Sequence, residues 1–377
     1  MIRPPVLGRR SMRGTQPLRL GLFGPNCSSG RYITLAPERW SASWDDNLRM
    51  ARLADEAGLD FLLPIGRWKG YGGDSDYAGT SYETITWATG LLAATRRITC
   101  FGTVHVPLFH PLIAAKQMVT ADHVGEGRFG LNIVCGWNEG EFAMFGLAQQ
   151  DHSGRYRQGQ EWIDVVTRAW SEDDFDFHGE YYDLRGVREK PKPYGGTRPL
   201  ILNAGRSDEG HAFALRNSDA LFTQPGNAGF DAAGLAAASA LVARAKDEAR
   251  TIGREIDVYT VGYVCCRPTA AEAEEYLRYI IEQNADWKAV DNIMAMRGVG
   301  ADLSPGELQR ARLRYASNSG GFSLTGSADD VARGLTLIAE MGYAGIALTL
   351  VNYADDLPFF ASEVLPRLVR NGVRHAG

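Results

Sequence analysis

The segment FGLNIVCGWNEGEF, Phe129 to Phe142, carries an amide inside an apolar run and two carboxylates just behind it. In an extended strand alternate residues face opposite sides, so Phe129, Leu131, Ile133 and Cys135 share one face while Gly130, Asn132 and Val134 share the other. The bulky set suits a covering helix layer, which leaves Asn132 pointing inward. The same reasoning applied to ITCFGTV sets Thr99, Phe101 and Thr103 opposite Ile98, Cys100, Gly102 and Val104. Thr103 is then a second inward polar residue near a strand's end. An inward amide and hydroxyl can hold a ligand; alternatively they only hydrogen-bond each other or the neighbouring strands, as buried polar groups normally do. Trp137, Glu139 and Glu141 crowd the same rim and favour a site.

Two further stretches could hold charge. In LNAGRSDEG a strand ends at Gly205, Ser207 or Asp208 can cap the following helix, and Arg206 stands alongside. Free backbone N–H groups at such a helix start suit a phosphate, although a plain N-cap is the commoner use of serine there. GRWKGYGGDSDY adds Arg67, Lys69 and a run of glycines as a cationic loop, which a solvated surface loop would equally explain. His105 and His110 flank a loop with no second ligand set near them, so no metal role is assigned. No G-x-S-x-G elbow is present, which argues against a serine hydrolase. Cys27, Cys100, Cys135, Cys265 and Cys266 form no C-x-x-C pair and lie mostly in apolar runs, as buried reduced thiols of a cytoplasmic protein would.

These residues need elements to position them. Eight apolar, β-branched segments alternate with helical patterns: Leu18–Gly24, Asp60–Ile65, Ile98–Val104, Phe129–Cys135, Leu200–Gly205, Ala220–Gln224, Asp257–Cys266 and Gly345–Val351. Such alternation predicts a parallel sheet with helical crossovers. Eight strands with no early dinucleotide fingerprint predict a closed (β/α)8 TIM barrel, whose catalytic face is the C-terminal end of the strands. About sixty residues separate Cys266 from the helix near Ser327–Met341. That is twice what one crossover needs, and predicts an insertion over about 269–322, after the seventh strand, of the kind that forms lids or substrate walls. Residues 1–17 are rich in Arg, Pro and Gly and read as a disordered tail. Arg9-Arg10 is not followed by the apolar segment an export signal needs. The net charge of −5 shows no basic stripe for nucleic acid, and no apolar run reaches the ~18 residues of a membrane span.

The ordered motifs GYGG, LLAATRRI, HPLIAAKQMVTADHVGEGRFGLNIVCGWNEGEF, GRYRQGQEWI, DDFDFHGEYYDL and KPKPY resemble the bacterial luciferase-like, FMN-dependent monooxygenases. Within them the resemblance is to the branch of the pyrimidine ring-opening and dimethyl-sulfone monooxygenases. It runs from about Leu18 to Arg370 and leaves out the first seventeen residues and most of Thr269–Phe322. It implies a TIM barrel that binds reduced FMN (FMNH2) at its C-terminal face, contacted by Gly66, Arg67, Asn132, Glu141, Arg155, Tyr156 and Ser207. Thr103 and Asn132 match the pair that holds oxygen against the flavin ring, with Asn132 as the amide donor. Related members carry Ile-Lys or similar where this chain has Gly66-Arg67, which alters that contact.

The activity so implied is monooxygenation of a small polar heterocycle, amide or sulfone, with C–N or C–S cleavage through a flavin-N5 peroxide; luciferases proper use the C4a peroxide instead. O2 is the co-substrate and a separate NAD(P)H-dependent flavin reductase the electron source. The chain is expected as a cytoplasmic homo-oligomer without nucleic-acid, membrane or metal partners. A deazaflavin F420-dependent dehydrogenase on the same barrel is the alternative. It needs no oxygen pocket, so the inward Thr103/Asn132 pair argues against it. A non-catalytic flavin-binding protein is a third reading, disfavoured by the complete set of strands and motifs.

Overall fold

Every segment expected as a barrel strand forms a strand. The computed structural model describes residues 12, 14, 16–224, 229–300, 302–317 and 320–375. Its strands are β1 (Arg19–Phe23), β2 (Phe61–Leu63), β3 (Thr99–His105), β4 (Phe129–Val134), β5 (Phe175–His178), β6 (Asp183–Val187), β7 (Leu200–Asn203), β8 (Ala220–Phe222), β9 (Asp257–Cys266), β10 (Phe322–Gly326) and β11 (Gly345–Thr349). Hydrogen bonding runs β11-β1-β2-β3-β4-β7-β8-β9, and β9 returns to β11, closing the (β/α)8 barrel. All of these pairs are parallel.

Alternation along the strands sorts the core into two layers, as the pattern requires. Leu20, Leu22, Cys100, Val104, Phe129, Leu131 and Ile133 face outward into the cluster they share with the helices. Phe61, Leu63, Phe101, Leu202, Phe222 and Tyr259 fill the interior. Phe61 meets Phe101 and Tyr259 edge-on at centroid distances of 6.1 and 5.7 Å. The rings fit because small neighbours make room: a Cβ on Gly21 would fall 2.4 Å from Phe61, and one on Gly130 2.5 Å from Phe101. Helix starts are set locally. His110 caps the helix Pro111–Val124 with its ring nitrogen, with proline in the first turn where no amide is needed. Ser327 and Asp330 form a reciprocal capping box on Ala328–Glu340.

The insertion is helical: Ala270–Arg278, Trp287–Met296 and Pro305–Ser317. It packs on the loops that follow β1 and β2, burying Ala289, Ile293 and Tyr315 against Cys27, Ile33 and Tyr77. Asp286 accepts from the amide and hydroxyl of Ser75, both at 2.7 Å. Asn292 donates to the carbonyl of Tyr71 at 2.8 Å. These contacts fasten the segment to the loops after β1 and β2.

Three features differ from or add to the sequence reading. β10 is a ninth strand of the sheet, outside the ring. Tyr263 pairs with Ser323 on one edge and Thr349 on the other, so β10 takes the edge of β9 that β8 leaves beyond Tyr259. β5 and β6 form an antiparallel hairpin that starts in DDFDFHGEYYDL and ends beyond it at Val187. Of the tail expected to be disordered, residues 1–11, 13 and 15 lie outside the described residues, while Met12 is buried against the barrel interior. Among the described residues no helix is long and apolar enough to cross a membrane.

Candidate active site

A cavity of about 560 Å³ opens at the C-terminal ends of the barrel strands, within the size range of small-molecule sites. Phe23, Leu202 and Phe222 come from the ends of β1, β7 and β8, Trp137 from the loop after β4, and Arg297 from the insertion. Asn132 lies in its wall near the end of β4, paired in register with Thr103 of β3. Their side chains form a directed chain. The Thr103 hydroxyl donates to the carbonyl of Pro64 at 2.6 Å, so its oxygen must accept from Asn132 Nδ2 at 3.1 Å. Asn132 Oδ1 is buried and has no partner.

Asn132 was expected as an amide donor for the ligand; one of its two Nδ2 hydrogens goes to Thr103, and its unpartnered Oδ1 adds an acceptor. The competing expectation, that the two polar residues bond each other, holds for one half of the amide only. An unpaired buried acceptor is costly unless something meets it.

Behind the wall lies a charged cluster. Arg67, on the loop after β2, donates from Nη1 to Glu141 Oε1 at 2.9 Å, and the two side chains are 5% and 3% exposed. The same carboxylate oxygen accepts from the Trp68 amide at 2.9 Å and the Lys69 amide at 3.3 Å. Arg67 also sits over the rings of Tyr71 and Trp137, at 4.6 and 5.5 Å. These bonds satisfy the Glu141 oxygen, as a buried pair requires, while Arg67 Nε stays buried without a partner. Arg67 reaches the cavity, whereas Glu141 is held behind it.

Gly66 lies under His105, which the sequence reading set aside. A Cβ at Gly66 would fall 2.8 Å from His105 Cε1 and 3.1 Å from Thr103 Cγ2. Gly66 therefore makes room for a buried imidazole and does not itself line the cavity. Burial pushes the His105 pKa down to about 4; nearby Glu141 raises it and Arg67 lowers it further. The ring is neutral at pH 7. Its signal was available: His105 follows Thr103 by two residues and so shares its inward face.

Further cationic groups line the cavity. Ser207 caps the helix Asp208–Asn217, its hydroxyl oxygen accepting from the Gly210 amide at 3.1 Å. The plain capping role is thus real, and Ser207 also lines the cavity, sharing a hydrogen bond with the Tyr156 hydroxyl. Arg155 donates to the Gly136 carbonyl at 2.6 Å and keeps a buried Nε without a partner. Arg206 donates to Gln224 at 3.2 Å. Arg67, Asn132, Arg155, Tyr156 and Ser207 thus meet in one cavity, with Thr103, Glu141 and Gly66 supporting from behind. Sequence reading missed Arg31 and Arg297, which also line it; their distance from the motifs gave no local signal.

The side chains offer binding rather than an activated nucleophile. All five cysteines are buried and free. Burial pushes the thiol of Cys135, in the cavity wall, up to about 12, which keeps it protonated and unreactive. What remains is an unpartnered acceptor, several cations, a helix start and aromatic surface around one cavity.

Comparison with known proteins places the chain in a family. Residues 18–345 match the family described as luciferase-like monooxygenase. The chain is 30% identical over 363 residues to an FMNH2-dependent dimethylsulfone monooxygenase of Pseudomonas putida, covering 94% of this chain and 96% of that protein. It is 28% identical over 360 residues to the pyrimidine monooxygenase RutA of Acinetobacter baylyi, covering 93% and 94%. Among solved structures, a long-chain alkane monooxygenase shares the fold with a TM-score of 0.83 at 18% identity, covering 97% and 94%.

Proposed function

The chain belongs to the luciferase-like monooxygenase family, and on that premise we propose that it is an FMNH2- and O2-dependent monooxygenase acting on a small polar heterocycle, amide or sulfone, with cleavage of a C–N or C–S bond. Reduced flavin is drawn from a separate NAD(P)H-dependent reductase. The observation that carries this reading is the pairing, in one cavity, of the orphaned Asn132 acceptor with the cationic helix start at Ser207. The dimethylsulfone relative is named for its dependence on FMNH2.

The residues present fit FMN. Arg155 and Arg206, with the free first-turn amides of the helix beginning at Asp208, suit a phosphate. Tyr156 and Ser207 add hydroxyls beside it. Phe23, Leu202, Phe222 and Trp137 give apolar and aromatic surface for a flat ring. Asn132 Oδ1 can accept from a ring N–H, and Thr103 fixes the amide so that its oxygen is the group on offer. The Arg67–Glu141 pair and His105, kept neutral by burial, stiffen the rim. When bound, the reduced cofactor supplies the electrons that activate O2. The protein's own part is to bind, orient and exclude water.

Cofactor titration separates this reading from the F420-dependent dehydrogenase. Trp137 borders the cavity and Trp68 stands on the adjoining loop, so binding should quench tryptophan fluorescence. Saturable quenching by reduced FMN under anaerobic conditions, and none by reduced F420, is expected. The reverse pattern would discard the monooxygenase.

A further inference from the structure

The family match begins at residue 18, and the chain just ahead of it is tied to the barrel at alternate residues. The Leu18 amide donates to the Val373 carbonyl at 3.2 Å, and Arg374 donates to the Leu18 carbonyl at 3.0 Å. Gln16 and His375 form a reciprocal pair. The His375 amide donates to Gln16 Oε1 at 2.8 Å, and Gln16 Nε2 donates to the His375 carbonyl at 3.4 Å. Arg19 Nη2 donates to the Gly14 carbonyl at 3.1 Å. This path delivers Met12 to the N-terminal end of the barrel, opposite the site, where it is 4% exposed.

Met12 joins the cluster inside the barrel, with Phe101, Leu200, Leu202, Ala220 and Tyr259. With them it borders a cavity of about 370 Å³ at that end. Glu255 is exposed and Asp257 half-exposed on the rim of this cavity, so solvent reaches it. The strand register shows what lies above. Phe101 pairs with Gly130, and Gly130 with Leu200; two residues up the same faces, Thr103 pairs with Asn132, and Asn132 with Leu202. Met12 thus stands against the layer directly below the Thr103–Asn132 pair. Leu202 lines both this cavity and the site cavity, so at that point one side chain separates them. Strands normally fill a TIM barrel with layers of their own side chains. Here Ala220 gives only a methyl and Gly130 leaves its place to the Phe101 ring, and a residue from outside the strands completes the lowest layer. An unbranched thioether suits an irregular gap beside aromatic rings.

We propose that the segment from Met12 to Leu18 is a stopper, with Met12 as its head, that seals the N-terminal end of the barrel and keeps solvent from the underside of the site. The seal does not depend on which cofactor the site takes, and every readout below is made on the full chain without flavin.

Met12→Ala and Met12→Leu are compared with the parent by thermal unfolding and by hydrogen exchange followed by mass spectrometry. Ile338→Ala serves as a control, because Ile338 is buried in the helix Ala328–Glu340, in the outer layer of the core. Met12→Ala should lower the melting temperature by about 3–8 °C, the scale of a large-to-small change in a chain of this size. Its β3 and β7 amides should exchange about 10-fold faster, as a locally opened region does. Met12→Leu, which keeps the volume, should match the parent in both. Ile338→Ala should lower the melting temperature without selecting β3 and β7. The proposal is overturned if Met12→Ala keeps the parent melting temperature and exchange, which would leave Met12 resting on the surface. It is also overturned if the faster exchange is spread over the chain as in Ile338→Ala, or if Met12→Leu opens β3 and β7 as Met12→Ala does.

Discussion

Replacing Asn132 by alanine separates a structural amide from one that meets a ligand. In the free protein Asn132 makes one side-chain hydrogen bond, Nδ2 to Thr103 Oγ1 at 3.1 Å, and its Oδ1 makes none. Thr103 keeps its own bond to Pro64 in the variant. The change therefore removes one neutral hydrogen bond, worth about 1 kcal/mol, and also deletes an orphaned acceptor that was itself unfavourable. The melting temperature should fall by less than about 4 °C in a chain of this size. Ligand binding should respond far more. A reduced flavin carries a ring N–H that the oxidised form lacks, and a buried acceptor distinguishes the two. Losing that bond removes about 1.5 kcal/mol of preference for the reduced form, roughly a factor of 10. Where the same group also acts in turnover, loss of one preorganised hydrogen-bonding partner costs about 10²–10³ in rate. Thr103→Val keeps the shape and frees the amide to turn, so a smaller fall in the same direction is expected. The assay is the ratio of affinities for reduced and oxidised FMN, with melting temperature and coupled turnover on the same preparations. An Asn132→Ala protein that keeps the parent ratio and turns over near the parent rate would refute the reasoning.

Three other outcomes follow from the cluster behind the wall. Gly66→Ala places a Cβ 2.8 Å from His105 Cε1 and should cost about 1–3 kcal/mol by overpacking; combining it with His105→Ala should recover part of that loss in a thermal double-mutant cycle. Glu141→Ala strands the buried Arg67 charge and leaves the Trp68 and Lys69 amides without their acceptor; unfolding by urea should show a loss of about 3–5 kcal/mol. His105, with its pKa pushed down to about 4 chiefly by burial, takes up a proton less readily folded than unfolded. Stability is thus held above about pH 6.5 and declines as pH falls toward 4, by up to about 3 kcal/mol. His105→Gln should flatten melting temperature against pH across that window, and an unchanged slope would remove His105 as its cause.

The barrel was legible because its strands carry their own signal. Alternation in FGLNIVC and ITCFGTV placed Asn132 and Thr103 inward, and the register brings them face to face. β10 was not, because Phe322 and Leu324 are two apolar residues among glycine and hydroxyl side chains, and the strand exists only through the edge of β9 left open beyond Tyr259. That the Asn132 oxygen is left without a partner could not be read either. It depends on the Pro64 carbonyl taking the Thr103 proton, a contact across strands. Resemblance supplied Gly66 and Glu141 as cofactor contacts; in the fold Gly66 lies against His105 and Glu141 pairs with Arg67, neighbours that no local pattern announced. Arg31 and Arg297 illustrate the opposite failure. Neither lies in a motif, and only the folding of the insertion over the β1 and β2 loops makes them neighbours of one cavity.

The most direct measurement of the monooxygenase reading is isotope transfer. The protein is supplied with FMN, a flavin reductase, NADH and ¹⁸O2, and challenged with heterocycles, amides and sulfones. The account predicts a product, seen by mass spectrometry, that has gained a single ¹⁸O atom and arises only when protein, reduced flavin and O2 are all present. Products that have lost hydrogen without gaining ¹⁸O, formed equally well without oxygen, would contradict it.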